Sequence, residues 1–188
     1  TTQNREWAEK ARTLSLHGMN NDAWKRFSDN GYRHYDVVYP GFKYNMTDIQ
    51  ASLGIHQLRK IEKRYERRKE IWSYYCEQLK GLPLEIPAPF DPLAKHSLHL
   101  FTILIDNKNS ILSRDELLKA LHKENIGTGI HYISLTLQSL YQERYGYTRG
   151  VCPDAEYISD RTLSLPLSAS MTLDDASDVV AALRFLIG

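Results

Sequence analysis

Between Met46 and Leu79 apolar residues recur at helical spacing. Met46, Ile49 and Leu53 mark one stripe, and Leu58, Ile61, Tyr65, Trp72, Tyr75 and Leu79 continue it. Spacings of three, four and seven predict one long helix from about Thr47 to Leu79. Arg59, Lys60, Lys63, Arg64, Arg67, Arg68 and Lys69 fill much of the opposite face, interleaved with Glu62, Glu66 and Glu70. Acids and bases three or four apart on one helix face support each other. Gly81 and Pro83 stop the helix, and Pro87, Pro89 and Pro92 predict an extended linker.

Before this helix the pattern is weaker. Asn4 is placed to cap a short helix through Leu14, with Trp7, Ala8, Ala11 and Leu14 on one face and Gly18 at its end. Residues 19–40 read as a polar, aromatic and irregular loop containing Asn20, Asn21, Asp22, Trp24, Tyr32, Tyr35, Tyr39 and Pro40. A loop of this length is either functional or loosely held.

After the linker the period changes repeatedly. Leu98 to Ile105 predicts a strand, and Ser113 with Glu116 forms a capping box for a helix whose inner face is Leu117, Leu118 and Leu121. Ile126 to Tyr132 reads as a second strand, with Gly127 and Gly129 signalling close backbone approach. Tyr141 to Tyr147 reads as partly helical, Pro153 starts a helix through Arg161, and Leu163 to Leu165 is a third strand stopped by Pro166. Thr172 caps a last helix that turns Ala176, Val179, Val180, Leu183 and Leu186 inward. The expected fold class is α/β: a small α+β domain with a mainly antiparallel sheet covered by helices. The expected divisions are 1–40, a piece of a larger domain; 41–92, the long helix and linker; and 93–188, the small domain.

Composition narrows the function. The chain has 188 residues, a formal net charge of +1 and 42% hydrophobic residues without a long apolar run. Mixed charge argues against a nucleic-acid-binding face, and the basic run 59–69 reads as a solvated helix face. A membrane span and a secretory leader are not expected, so the expected compartment is the cytoplasm. Cys76 and Cys152 form neither a CxxC nor a zinc pattern and read as reduced thiols. His96, His99 and His131 lack a converging carboxylate or thiolate, so no metal site is expected. Gly127 and Gly129 lack the third glycine of a dinucleotide fingerprint.

One segment carries chemistry. Residues 41–54 read Gly-Phe-Lys-Tyr-Asn-Met-Thr-Asp-Ile-Gln-Ala-Ser-Leu-Gly. Lys43 and Asn45 stand just ahead of a helix start where Thr47 and Gln50 can form a capping box. Free N–H groups and the helix dipole make this a candidate anion site, although an ordinary capped surface helix is the commoner source of such a pattern.

This segment resembles the "GYNYRMTDIQAALG" stretch of the DegT-type sugar aminotransferases. The resemblance continues in order through Leu16-His17-Gly18-Met19, His96-Ser97-Leu98-His99-Leu100-Phe101, Gly127-Thr128-Gly129-Ile130-His131-Tyr132 and Leu163-Ser164-Leu165-Pro166-Leu167. The wording Phe-Lys-Tyr-Asn and Ile-Gly-Thr-Gly-Ile-His is most similar to enzymes that aminate C4 of UDP-linked 4-keto sugars, such as those making 4-amino-4-deoxy-arabinose. The resemblance implies the C-terminal part of a pyridoxal 5'-phosphate (PLP)-dependent transferase fold. It also implies a homodimer that transfers an amino group from an amino acid, glutamate by expectation, to a nucleotide-linked keto-sugar. By the same likeness Asn45, with Lys43, would contact the cofactor phosphate of the neighbouring subunit, and His131 and Tyr132 would line the substrate entrance. No lysine here matches the family's Schiff-base lysine, which lies upstream of Thr1 in that alignment, so no catalytic residue is assigned and this chain alone is expected to be inactive and not to retain PLP. The alternative is a non-catalytic regulatory or interaction protein of the same fold.

Overall fold

The structure is a computed structural model that describes residues 1–20, 36–91 and 93–188. Asn21, Asp22, Trp24, Tyr32, Tyr35 and Pro92, singled out in the sequence, lie outside the described residues. The chain divides into two compact units, Thr1–Arg59 and Lys60–Gly188.

In the first unit, α1 spans Arg5–Ser15 and Asn4 caps it, its side-chain oxygen accepting the Trp7 N–H at 3.2 Å. No residue of α1 is buried, and Trp7 stays 67% exposed. His17 (φ 56°) and Gly18 (φ 72°) are both left-handed and reverse the chain. Residues 36–44 then lie antiparallel to 14–20. Phe42 N–H donates to Leu14 O (2.7 Å), His17 N–H to Phe42 O (2.8 Å) and Tyr44 N–H to Ser15 O (2.8 Å). A Cβ on Gly18 would sit 1.8 Å from Tyr39 O, and one on Gly41 would sit 2.0 Å from the Gly18 nitrogen. Two glycines facing each other allow the backbones to touch.

The second helix, α2, spans Asp48–Arg59, and α3 spans Ile61–Gln78. The sequence reading of one helix from Thr47 to Leu79 is therefore corrected. Lys60 stands between them as the α3 N-cap, with φ −100° and ψ −3°. Packing explains why periodicity did not hold the two together, since tertiary burial supplies most helical stability in proteins. Ile71, Trp72 and Tyr75 of α3 are buried, whereas Ile49, Leu53 and Leu58 of α2 remain 61–76% exposed.

The second unit is built on a three-stranded antiparallel sheet in the order β1-β2-β3, with β1 Leu84–Glu85, β2 Phe101–Ile105 and β3 Thr162–Leu165. Leu84 pairs with Ile105, and Phe101 with Leu165. Phe101, Ile103 and Ile105 alternate inward. They meet Ile71 and Tyr75 of α3, its C-cap Leu79, Leu117 and Leu121 of α4 (Arg114–Lys123), and Ala176, Val179 and Leu183 of α7 (Leu173–Ile187) in one core. The buried Tyr75 hydroxyl donates to Pro166 O at 2.9 Å, and burial pushes its pKa up. A 3-10 turn, Leu135–Leu137, precedes α5 (Ser139–Tyr145), and α6 spans Pro153–Arg161 as read from Pro153. Among the described residues no helix is long and apolar enough to cross a membrane.

Three strand expectations shift. The strand expected from Leu98 starts at Phe101, because Leu98 has φ 50° and a strand needs extended backbone. The strand expected over Ile126–Tyr132 reduces to one backbone pair, Gly129 with Ser164. Glycine-rich backbone is a weak strand former, and here it makes contact only where the neighbouring chain comes close. The segment expected to be plain linker contributes β1.

Candidate functional site

Lys43 and Asn45 belong to the first unit, and His131 and Tyr132 to the second. Lys43 pairs across to Leu16, which fixes the 42–44 backbone. Side chains two apart on an extended segment share a face. Accordingly the rings of Phe42 and Tyr44 stack at 5.0 Å and 6° on one side, while Lys43 is exposed. Asn45 is half-buried, and its amide has no hydrogen-bond partner among the described residues. Two residues on, the expected capping box is present: Gln50 N–H donates to Thr47 Oγ1 (3.3 Å) and Thr47 N–H donates to Gln50 Oε1 (2.9 Å). The box occupies two backbone donors at this helix start. An anion approaching here would be met by the Asn45 amide, the Lys43 ammonium and the positive end of α2.

In the second unit the segment carrying His131 is held against the outer edge of β3. Gly129 N–H donates to Ser164 O (3.2 Å) and Ser164 N–H donates to Gly129 O (2.7 Å). The His131 Nδ1 then lies 2.8 Å from the Ser164 hydroxyl. A Cβ on Gly129 would come 2.8 Å from His131 Cε1, so glycine is what lets the imidazole lie over this backbone. The Tyr132 ring stands edge-on to His131 at 4.8 Å and is 74% exposed. With Nδ1 engaged, Nε2 is the nitrogen left for a ligand.

Ser164 is the residue that sequence reading passed over. It is 4% exposed on a strand with every side chain buried, and its signal in the sequence is a hydroxyl between two leucines. A buried hydroxyl needs a partner, and His131 is that partner. Two further polar groups hold neighbouring segments in place. Arg114 Nη1 donates to Ser159 O (3.1 Å) and Thr162 O (3.3 Å). The buried Glu156 carboxylate accepts from the N–H groups of Gly150 (2.9 Å) and Cys152 (3.4 Å).

The remaining histidines differ. His96 stacks on Phe90 at 4.3 Å and 8°, near Trp72, and its Nδ1 accepts the Leu98 N–H. Among the described residues no three of His, Cys, Asp and Glu converge as a metal would require. A concavity of about 810 Å³ between the end of α4 and α7, lined by Ile126, Pro166, Met171, Val179 and Phe185, contains none of the four residues above.

Comparison with known proteins gives this arrangement a context. The model of a family described as the DegT/DnrJ/EryC1/StrS aminotransferase family matches residues 1–184. The chain is 41% identical over 188 residues to the spore coat polysaccharide biosynthesis protein SpsC of Bacillus subtilis. It is 43% identical over 187 residues to the uncharacterized protein MJ1066 of Methanocaldococcus jannaschii. All of this chain is covered in both cases, and it spans 48% of each relative, about half the length of these curated proteins. A putative sugar aminotransferase, Spr1654 of Streptococcus pneumoniae, solved in its PLP form, superposes with a TM-score of 0.80 at 26% identity, covering 98% of this chain and 44% of that one.

Proposed function

Since the chain belongs to the DegT/DnrJ/EryC1/StrS aminotransferase family, we propose that it is the C-terminal portion of a PLP-dependent sugar aminotransferase. The reaction moves an amino group from an amino acid, glutamate, to a keto-sugar linked to a nucleotide. The sugar is a UDP-linked 4-keto sugar, of the class that leads to 4-amino-4-deoxy-arabinose. The enzyme is a cytoplasmic homodimer. Residues 1–40 belong to the large cofactor-binding domain, 41–92 connect the domains, and 93–188 form the small domain. The observation that carries this reading is the collinear match over residues 1–184, joined to 41% identity with a polysaccharide biosynthesis protein.

The donor set fits a phosphorylated cofactor. A half-buried Asn45 amide, without a hydrogen-bond partner among the described residues, and an exposed Lys43 ammonium stand ahead of α2, where an oxyanion gains from both hydrogen bonding and the helix dipole. When bound, PLP supplies the electron sink for amino transfer. In this reading Asn45 donates to its phosphate from across the dimer, and Lys43 adds charge through a flexible stem. His131 offers Nε2 to a sugar hydroxyl, held in aim by Ser164, and the exposed Tyr132 ring shields one wall of the entrance.

The test uses the proposed full-length enzyme, with this sequence as its C-terminal portion. With PLP, glutamate and a UDP-4-keto sugar, mass spectrometry should find 2-oxoglutarate and the 4-amino sugar nucleotide in equal amounts. Glutamate turnover absent with every keto-sugar nucleotide tried would leave the family fold without this activity.

A further inference from the structure

A second concavity, of about 530 Å³, lies wholly within the second unit. Arg64 and Arg68, one turn apart on α3, form one wall. His99, Leu100 and residues 167–170 after β3 form the rest. None of its lining residues is acidic. Its neighbour along α3 shares Arg64 but differs otherwise: there Lys60, Lys63 and Arg67 are accompanied by Glu66 and Glu70, and Arg67 pairs with Glu70 at 2.5 Å. Within this concavity Arg68 therefore stands on a wall with no lining acid.

Arg68 is the least satisfied cation of this wall. A guanidinium carries five N–H donors and stays charged at any working pH. Nη2 of Arg68 donates to Ser97 O at 3.3 Å, and Nε is buried with no partner. Among the described residues no carboxylate pairs with Arg68. Burial at Nε and the bond to Ser97 hold the charged fork in place, without a counter-ion among the described residues. Opposite polarity is lacking at the mouth as well. The hydroxyls of Ser168 and Ser170 lie 2.9 Å apart, and Ser170 N–H donates to Ser168 Oγ. One hydroxyl proton therefore satisfies the pair and the other is free to donate outward. The held Arg68 fork beside hydroxyl donors matches the oxygens of a phosphate more closely than any neutral group. The volume exceeds that of one phosphoryl group and falls within the roughly 300–1,000 Å³ of small-molecule sites.

We propose that the Arg64–Arg68–His99 concavity binds the phosphate group of a phosphorylated small molecule. The site is distinct from the Lys43–Asn45 loop, which belongs to the other unit, and it does not depend on the transaminase reading. The experiment is an NMR titration of the 188-residue chain at constant ionic strength with inorganic phosphate, pyrophosphate and acetate, sodium chloride being the balancing salt. Pyrophosphate and phosphate should give saturable amide shifts at Leu100, Ser168 and Ser170, pyrophosphate the tighter, and acetate should give none. Arg68→Met should weaken pyrophosphate at least tenfold, as should Arg64→Met, while Arg149→Met, remote and paired with Asp160, should bind like the parent. If Arg68→Met does not fold because its stem is buried, Arg64→Met and His99→Gln decide. Unsaturating shifts, equal response to acetate, or parental affinity in the folded arginine variants would overturn the assignment.

Discussion

The Nδ1 of His131 is 2.8 Å from the Oγ of Ser164, and the same two segments exchange both backbone hydrogen bonds between Gly129 and Ser164. One buried strand residue thus fixes a loop by its main chain and the imidazole by its side chain. The ring's orientation is set by the fold, so a ligand that met it would cost little ordering of this side chain.

Ser164→Ala separates these two roles. The backbone pair survives, while the side-chain bond is lost, at about 0.5–1.5 kcal/mol of unfolding free energy. Urea denaturation should show that loss. The ¹⁵N shifts of the His131 ring should move from one dominant tautomer toward an average of two. Ring shifts identical to the parent's would mean that Ser164 does not orient His131.

Asn45 and Thr47 are two residues apart and should fail differently. If Asn45 donates to the PLP phosphate as proposed, Asn45→Ala in the proposed full-length enzyme should remove one hydrogen bond to a charged group. That loss is about 1.5–3 kcal/mol, or roughly ten- to hundredfold in PLP affinity. Thr47→Ala breaks the capping box seen with Gln50. It should remove about 1 kcal/mol of helix stability with little change in cofactor affinity. Titration of PLP into both apo variants, with circular dichroism alongside, checks the split. Parental PLP affinity in Asn45→Ala would reduce Asn45 to a loop residue.

Gly18 and Gly54 give opposite expectations for the same substitution. A Cβ on Gly18 would lie 1.8 Å from Tyr39 O at φ 72°, whereas nothing lies within 4 Å of one on Gly54 inside α2. Gly18→Ala should release the 36–44 segment, seen as fast hydrogen exchange at Phe42 and Tyr44. Gly54→Ala should stabilise α2 by roughly 0.5–1 kcal/mol. Retained protection in Gly18→Ala would show that the backbone can relax around the added methyl.

Two capping carboxylates predict an acid limb. Hydrogen bonds from the Ser113 side chain and backbone hold Glu116 below its usual pKa, and those from the Thr172 backbone and side chain do so for Asp175. Both folded values are depressed. Their stabilisation is therefore complete above the ordinary carboxyl range and is lost as pH falls through the lower folded values. A Glu116→Gln, Asp175→Asn variant keeps amide caps that do not titrate. Its urea midpoint should fall less than the parent's between pH 6 and pH 3. Parallel curves would show that other carboxylates govern acid unfolding.

What the sequence determined by itself was local. Asn4, Thr47–Gln50, Ser113–Glu116, Pro153 and Thr172 each start the helix they were expected to start, because a cap is satisfied by groups within three residues of one another. The inward faces of α4 and α7 were legible for a related reason: helical period fixes which residues share a side. The ordered motifs gave the family, since each has its own wording at its own position. What only tertiary structure decided was non-local. Whether the apolar run from Met46 to Leu79 is one helix or two depends on which part finds a core, and only α3 does. Leu98 could not be seen to be left-handed, nor Leu84 to join a sheet, because both depend on where distant chain arrives. Ser164 looked like one polar residue in a short strand. Its partner is 33 residues away in sequence, and burial beside β2 and Gly129 is what made its hydroxyl the support for His131.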